Sequence, residues 1–196
     1  MTDKQLAVIV GSVRPGRIGP AFARWFADRA RAHGGFEVVV HDLAEINLPF
    51  HNERAHPKTG LYEHAHTRAW SDAVAAADAF VMVTPEYNYG YSAALKNAID
   101  YLNREWADKP VGFLSYGGIG AGTRAIQQLK QVVTTLRMIP VFEAVNIPFA
   151  ASRLDEHGNV KPDAERDLAA SAMLDELARV TDKMRPALAP NTAVTG

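Results

Sequence analysis

Apolar residues in this chain fall into two alternating rhythms. Short, mostly apolar runs recur at Leu6 to Val10, Phe36 to Val40, Ala79 to Thr84, Val111 to Ser115 and Pro140 to Val145. Runs of this length, rich in β-branched residues, are what strands covered on both faces require. Between them the apolar positions repeat at three and four residues: Phe22, Trp25, Phe26 and Ala30; Trp70, Val74 and Ala77; Leu95, Ile99 and Leu102; Ile126, Leu129, Val133 and Leu136. Each set predicts an amphipathic helix. A fifth helix is expected from Asp163 to Met184, after the turn-like DEHGN segment, with Met173, Leu177, Val180 and Met184 on one face. A strand–helix unit repeated five times predicts an α/β domain, with a parallel sheet, right-handed crossovers and helices on both faces.

Two stretches lack either rhythm. Leu43 to Glu63 is rich in His, Asn and Pro and is longer than most connections, which points to a binding rim or a subunit contact. The last ten residues, ALAPNTAVTG, have no periodicity and are expected to be a frayed tail at 187–196, leaving one domain over 1–186. A chain of 196 residues with 47% hydrophobic content suits that single core.

Charge and cysteine count narrow the chemistry. The formal net charge is -1, from 21 basic and 22 acidic side chains, so no overall field favours nucleic acid or an anionic membrane. With no cysteine, thiolate nucleophiles, disulfides and Cys-based metal sites are excluded, and any redox chemistry must use a bound cofactor. No apolar run approaches the length of a signal core or a membrane span, so a soluble cytoplasmic protein is expected. His51, His56, His64 and His66 cluster near the irregular segment, but their spacing matches no standard zinc pattern, and solvated or interface positions are expected of them.

Three loops carry the candidate chemistry. The first strand runs into GSVRPGRIGP, where Gly11 and Gly16 allow tight backbone geometry, Ser12, Arg14 and Arg17 offer donors, and Gly19-Pro20 suits a helix start that attracts a phosphate. It is not an ATP-binding P-loop, because Arg17 and Ile18 stand where the motif needs Lys and Ser or Thr. The glycine spacing also fails the dinucleotide fingerprint, although Asp42 follows the second strand suggestively. The third strand ends in PEYNYGYSAALKNAID, Pro85 to Asp100, placing a fixed turn, aromatic rings and an amide at the sheet's carboxyl edge. The fourth leads into SYGGIGAGT, Ser115 to Thr123, whose glycines let backbone N–H groups approach a ligand. All three project from the edge where doubly wound sheets bind ligands.

Together these motifs resemble the NADPH-dependent FMN reductase family of flavodoxin-like proteins, which includes quinone, azo-dye and chromate reductases. The resemblance covers roughly Leu6 to Val145 and rests on GSxRxGR, on PEYN followed by LKNAID, and on the Gly-rich loop. It implies a flavodoxin-like three-layer sandwich of sheet order 2-1-3-4-5. It implies FMN phosphate at Ser12, Arg14, Arg17, Ile18 and Gly19, the isoalloxazine against Pro85, Glu86, Tyr87 and Asn88, and its pyrimidine side near Ser115, Gly117 and Gly118. No side chain is expected to be catalytic, since FMN carries the reaction. The implied cycle is ping-pong: NADPH or NADH passes hydride to N5, and a quinone, azo compound, metal oxyanion or similar small-molecule acceptor then takes the electrons. A homodimer or homotetramer is also implied. Family members often have a small residue or proline after PEYN, where this chain has Tyr89, Gly90 and Tyr91, so the substrate pocket is expected to differ there. A flavodoxin-type electron carrier, or a reductase that releases reduced FMN, are the alternative readings.

Overall fold

The computed structural model of the protein describes residues 4–188. In chain order the elements are β1 (Gln5–Val10), α1 (Gly19–His33), β2 (Glu37–Asp42), α2 (Leu43–Ile46), α3 (Ala65–Ala76), β3 (Ala79–Pro85), α4 (Ala93–Asp100), β4 (Pro110–Tyr116), α5 (Thr123–Thr135), β5 (Ile139–Ile147) and α6 (Ala164–Leu188). The strands form one sheet in the order β2-β1-β3-β4-β5, with every neighbouring pair parallel. This is the flavodoxin-like order, and all five expected strands are present.

Side-chain alternation divides the core between the two faces of the sheet. Val81 and Val83 of β3 face α1 and α6, joining Phe22, Phe26, Met173 and Leu177. Phe80 and Met82 face the other way, joining Trp70 of α3, Leu95 and Ile99 of α4, and Leu129 and Val133 of α5. Buried on both sides, β1, β3 and β4 read as unbroken apolar runs.

The two edge strands depart from the expected pattern. β2 is only half-buried and begins at Glu37, whose N–H bonds the Lys4 carbonyl at 2.7 Å, while Phe36 points into the core ahead of the ladder. In β5, Pro140 pairs with Val111 and Ala144 with Phe113, so extra residues of β5 are accommodated in a bulge. Phe142 sits on that bulge, 89% exposed, and the broken ladder disfavours pairing with another chain.

Helix boundaries shift for local reasons. α4 stops at Asp100, and the buried Tyr101 and Leu102 follow it in a turn. The Asp163 carboxylate accepts the Arg166 N–H at 3.1 Å at the start of α6, whose fully buried residues include Ala170, Met173, Leu174, Leu177 and Thr181. α6 runs on to Leu188, so the first two residues of the expected tail are helical; 189–196 lie outside the described residues.

The irregular segment after β2 is anchored. Asp42 caps α2 by accepting the Ala44 N–H at 3.0 Å, and a 3₁₀ turn spans Pro57–Thr59. The Asn97 side chain of α4 donates to the Pro49 carbonyl at 2.7 Å and accepts from the His51 N–H at 2.9 Å. Tyr62 and Ser71 both donate to Glu105 Oε1, at 2.8 and 2.7 Å. Of the histidines, His56 accepts the Lys58 N–H at 3.1 Å, while His64 and His66 stack with ring centroids 5.0 Å apart.

Candidate functional site

The carboxyl ends of β1, β3 and β4 deliver three loops to one edge, and a few bonds knit them together. The Gly11 N–H donates to the Val83 carbonyl at 2.8 Å, which aligns the first loop with the end of β3. Ser92 does two jobs: its hydroxyl donates to the Gly11 carbonyl at 2.5 Å and accepts the Leu95 N–H at 3.2 Å, capping α4. The Glu86 N–H reaches the Tyr116 carbonyl at 3.0 Å and ties the second loop to the third.

In the first loop Ser12 is fully buried, yet its hydroxyl has no partner. An unpaired buried hydroxyl costs free energy, and a ligand's acceptor oxygen is its natural complement. The hydroxyl lies at the start of α1, which has no side-chain cap and no acidic residue in its first turn. Pro20 has no N–H and the Ala21 N–H is used on the Ile18 carbonyl at 3.1 Å, so the Gly19 N–H and the helix dipole are what favour an anion there. Gly19 opens the helix, and a Cβ on it would lie 2.4 Å from Ser12 Oγ, so the cradle exists only because the residue is glycine. Arg14 is exposed, holding only the neighbouring Pro15 carbonyl at 3.1 Å.

Arg17 is differently placed. Its guanidinium grips both Asp42 oxygens, at 2.6 and 2.8 Å, and also donates to the Ser12 carbonyl at 2.8 Å. The hydrogen bond to Asp42 outweighs burial and raises the Arg17 pKa above its usual value. Asp42 is thus occupied by Arg17 and by the α2 cap, which removes it from a ribose-binding role.

In the second loop Tyr87 and Gly90 exchange backbone bonds at 2.8 and 2.9 Å around Asn88 (φ 49°) and Tyr89 (φ 69°). This is a two-residue turn of type I′, whose second central position favours glycine, but the glycine of this sequence stands one residue later. Tyr89 therefore carries backbone strain, with its ring stacked on the Arg124 guanidinium at 4.3 Å. Arg124 also donates to Glu86 Oε1 at 3.0 Å, and its N–H donates to Glu86 Oε2 at 3.1 Å. Glu86 thus caps α5 from another loop, since the N-cap residue Gly122 has no side chain to offer. Tyr89→Gly should relieve strain but lose the ring contact and loosen the unfolded chain, leaving stability within about 0.5 kcal/mol. Tyr89→Val, β-branched in a left-handed conformation, should cost about 2 kcal/mol in urea unfolding.

In the third loop Ser115 is fully buried, its hydroxyl bridging the Ala121 carbonyl and the Asn146 side chain, each at 2.8 Å. Gly122 (φ 82°) packs against it, where a Cβ would come within 2.6 Å of Ser115 Cβ. Gly117 uses its N–H on Ile147 and its carbonyl on Ala150, at 3.2 and 3.0 Å. The Gly118 N–H has no partner among the described residues, and a Cβ on Gly118 would meet nothing within 4 Å.

The structure therefore brings Ser12, Arg14, Gly19, Pro85, Tyr87, Asn88, Gly117 and Gly118 to the loops of one sheet edge. It occupies the side chains of Arg17, Glu86 and Ser115 with other protein groups, and Ile18 is the half-buried N-cap residue of α1. Sequence reasoning missed Ser92, Arg124 and Asn146 as supports. Ser92 alone had a local signal, a serine immediately before an amphipathic helix.

A parallel sheet of order 2-1-3-4-5, with the loops after β1, β3 and β4 gathered at its carboxyl edge, defines a doubly wound protein with the layout of the mononucleotide-binding class. Residues 5–152 match the model of the NADPH-dependent FMN reductase family, and the chain belongs to that family. It is 41% identical over 148 residues to an NAD(P)H-dependent FMN reductase of Schizosaccharomyces pombe, covering 74% of each chain. A quinone reductase of Escherichia coli is 33% identical over 143 residues, covering 69% of this chain and 73% of the relative. The fold is shared with the flavoenzyme NAD(P)H:acceptor oxidoreductase FerB from Paracoccus denitrificans, with a TM-score of 0.72, 24% identity, and coverage of 92% of this chain and 98% of that one. The protein is a flavin-linked oxidoreductase with FMN as cofactor and NAD(P)H as donor.

Proposed function

We propose that the protein reduces quinones, azo compounds or comparable small-molecule acceptors at the expense of NAD(P)H, with donor and acceptor taking turns at one cleft. The observation that carries this reading is the orphaned, fully buried Ser12 hydroxyl beneath the uncapped start of α1, beside a strained aromatic turn. These residues fit FMN. When bound, FMN supplies hydride acceptance from the nicotinamide and electron delivery to the acceptor.

The chain's own residues bind and orient. Ser12, the Gly19 N–H at the start of α1 and the exposed charge of Arg14 hold the phosphate. Pro85, Tyr87 and Asn88 form the wall for the flavin ring, kept in place by the Glu86–Arg124 link behind them. The unpartnered Gly118 N–H, with Gly117 fixing its backbone, provides a donor for charge on the pyrimidine side. Ile18 and Gly19 shape the helix start, and Arg17 and Ser115 hold the first and third loops in form. Tyr89, 62% exposed at the tip of the turn, sits where it can select among acceptors.

A homodimer or homotetramer belongs to the same proposal, supported by Phe50 and Leu61, which are 85% and 67% exposed on the anchored segment after α2. So does a cytoplasmic location; among the described residues no helix is long and apolar enough to cross a membrane.

Arg14→Ala is expected to weaken FMN binding by roughly tenfold, the lower bound for a charge-assisted bond, in a flavin fluorescence titration. The turn-taking itself is tested by initial rates with varied NADPH and a benzoquinone. Parallel double-reciprocal lines are expected, and intersecting lines would show both substrates bound together. Retention of flavin through gel filtration separates this reading from one in which reduced FMN is released.

A further inference from the structure

Tyr116 closes β4 and turns its side chain toward α1, where the ring packs on Phe22 with centroids 5.4 Å apart. It is buried, and its hydroxyl reaches the first residue of the helix: a Cβ on Gly19 would lie 2.6 Å from Tyr116 Oη and 2.4 Å from Ser12 Oγ. Two hydroxyls on different strand ends therefore converge on the one position that only glycine leaves open. One of them, Ser12, is fully buried and without a partner. Of the cations nearby, Arg17 is engaged with Asp42 and Arg14 is exposed, so the buried side of the cradle is furnished by hydroxyls. The two hydroxyls and the Gly19 N–H together form a donor set suited to a dianionic phosphate.

We propose that Tyr116 is a further binding residue of the flavin site, its hydroxyl donating alongside that of Ser12 to the phosphate of FMN. This rests on the FMN reading above and extends its phosphate-binding set to a residue at the base of the third loop. Burial raises the phenol's pKa to about 12, against smaller opposing effects of Ser12, Arg14 and Arg17, so it remains a protonated donor throughout the physiological range.

Comparison of FMN with riboflavin, which lacks the phosphate, isolates the claim. The protein is stripped of flavin and titrated with each by fluorescence quenching, as wild type and as Tyr116→Phe, which keeps the ring and its packing on Phe22. FMN should bind about tenfold more weakly to the variant, and riboflavin within about twofold of wild type. Ser12→Ala should show the same selectivity for FMN. Equal weakening for both flavins would assign Tyr116 a purely structural role, and unchanged FMN affinity would remove it from the site; either overturns the proposal. A wild-type protein that binds neither flavin would overturn the FMN reading together with this one, whereas normal wild-type binding with an unaffected variant sinks the tyrosine assignment alone.

Discussion

Arg17→Ala is expected to lower the unfolding free energy by about 3 kcal/mol and to weaken FMN binding at the same time. The side chains of Arg17 and Asp42 are only 18% and 12% exposed, so the pair is less screened than a surface salt bridge. Removing the arginine leaves a carboxylate with one remaining partner, the Ala44 N–H, at a cost of about 2 kcal/mol. Loss of the bond to the Ser12 carbonyl contributes about 1 kcal/mol more. For a chain of this size the combined effect is a fall in melting temperature of about 6–12 °C. The functional consequence runs through the backbone, because Arg17 holds the very residue whose hydroxyl faces the cradle. Asp42→Ala should therefore reproduce most of both losses, and the double variant should add little to either single one. A loss of FMN affinity in Arg17→Ala well beyond that in Asp42→Ala would instead mean that Arg17 touches the phosphate directly.

Glu105→Ala is expected to cost about 4 kcal/mol, the largest stability effect of any change considered. Its nearly buried carboxylate accepts from Tyr62 Oη, Ser71 Oγ and, at 3.2 Å, the Asn103 N–H. Truncation strands these donors under the segment that covers α4, each at about 1–3 kcal/mol before relaxation. Burial alone would raise the Glu105 pKa, but hydrogen bonds from Ser71, Tyr62 and backbone N–H groups outweigh it and the net shift is downward. Glu53 behaves alike: burial is overcome by hydrogen bonds, those from the Glu63 and His64 N–H groups among them, and its pKa is held at about 2. With folded values depressed below the unfolded ones, these carboxylates stabilise the fold above roughly pH 4.3, and that contribution disappears as pH falls through the folded values. Urea midpoints at pH 7, 4 and 3 should therefore drop steeply in wild type and less steeply in Glu105→Gln. An unchanged acid dependence in that variant would show that Glu105 is not part of the acid-sensitive anchor.

The sheet was legible because parallel strands buried on both faces leave unbroken apolar runs, and because right-handed crossovers restrict how such strands can be joined. The ends of helices were less so. Leu102 continues the apolar spacing of α4 and is buried, but it packs from a turn, and periodicity does not distinguish the two. The segment 43–63 was opaque because its order comes from Asn97, Tyr101 and Glu105, tens of residues away in sequence. The same limit applied at the site. Glycines and the PEYN turn marked which loops matter, since their backbone demands are local. Which side chains remain available was decided by partners at long range: Asp42 for Arg17, Arg124 for Glu86, and Asn146 for Ser115. Motif residues thus divide into those that face the cleft and those that hold its walls, and only the packed chain separates them.

Whether the three loops form an FMN site reduced by a nicotinamide is tested most directly by following the flavin absorbance of the purified protein under anaerobic conditions as NADPH is added. The expected result is a yellow protein that releases FMN on denaturation and bleaches with stoichiometric NADPH. A protein that purifies colourless and cannot be reconstituted with FMN, or whose bound flavin is left oxidised by both NADPH and NADH, would contradict it.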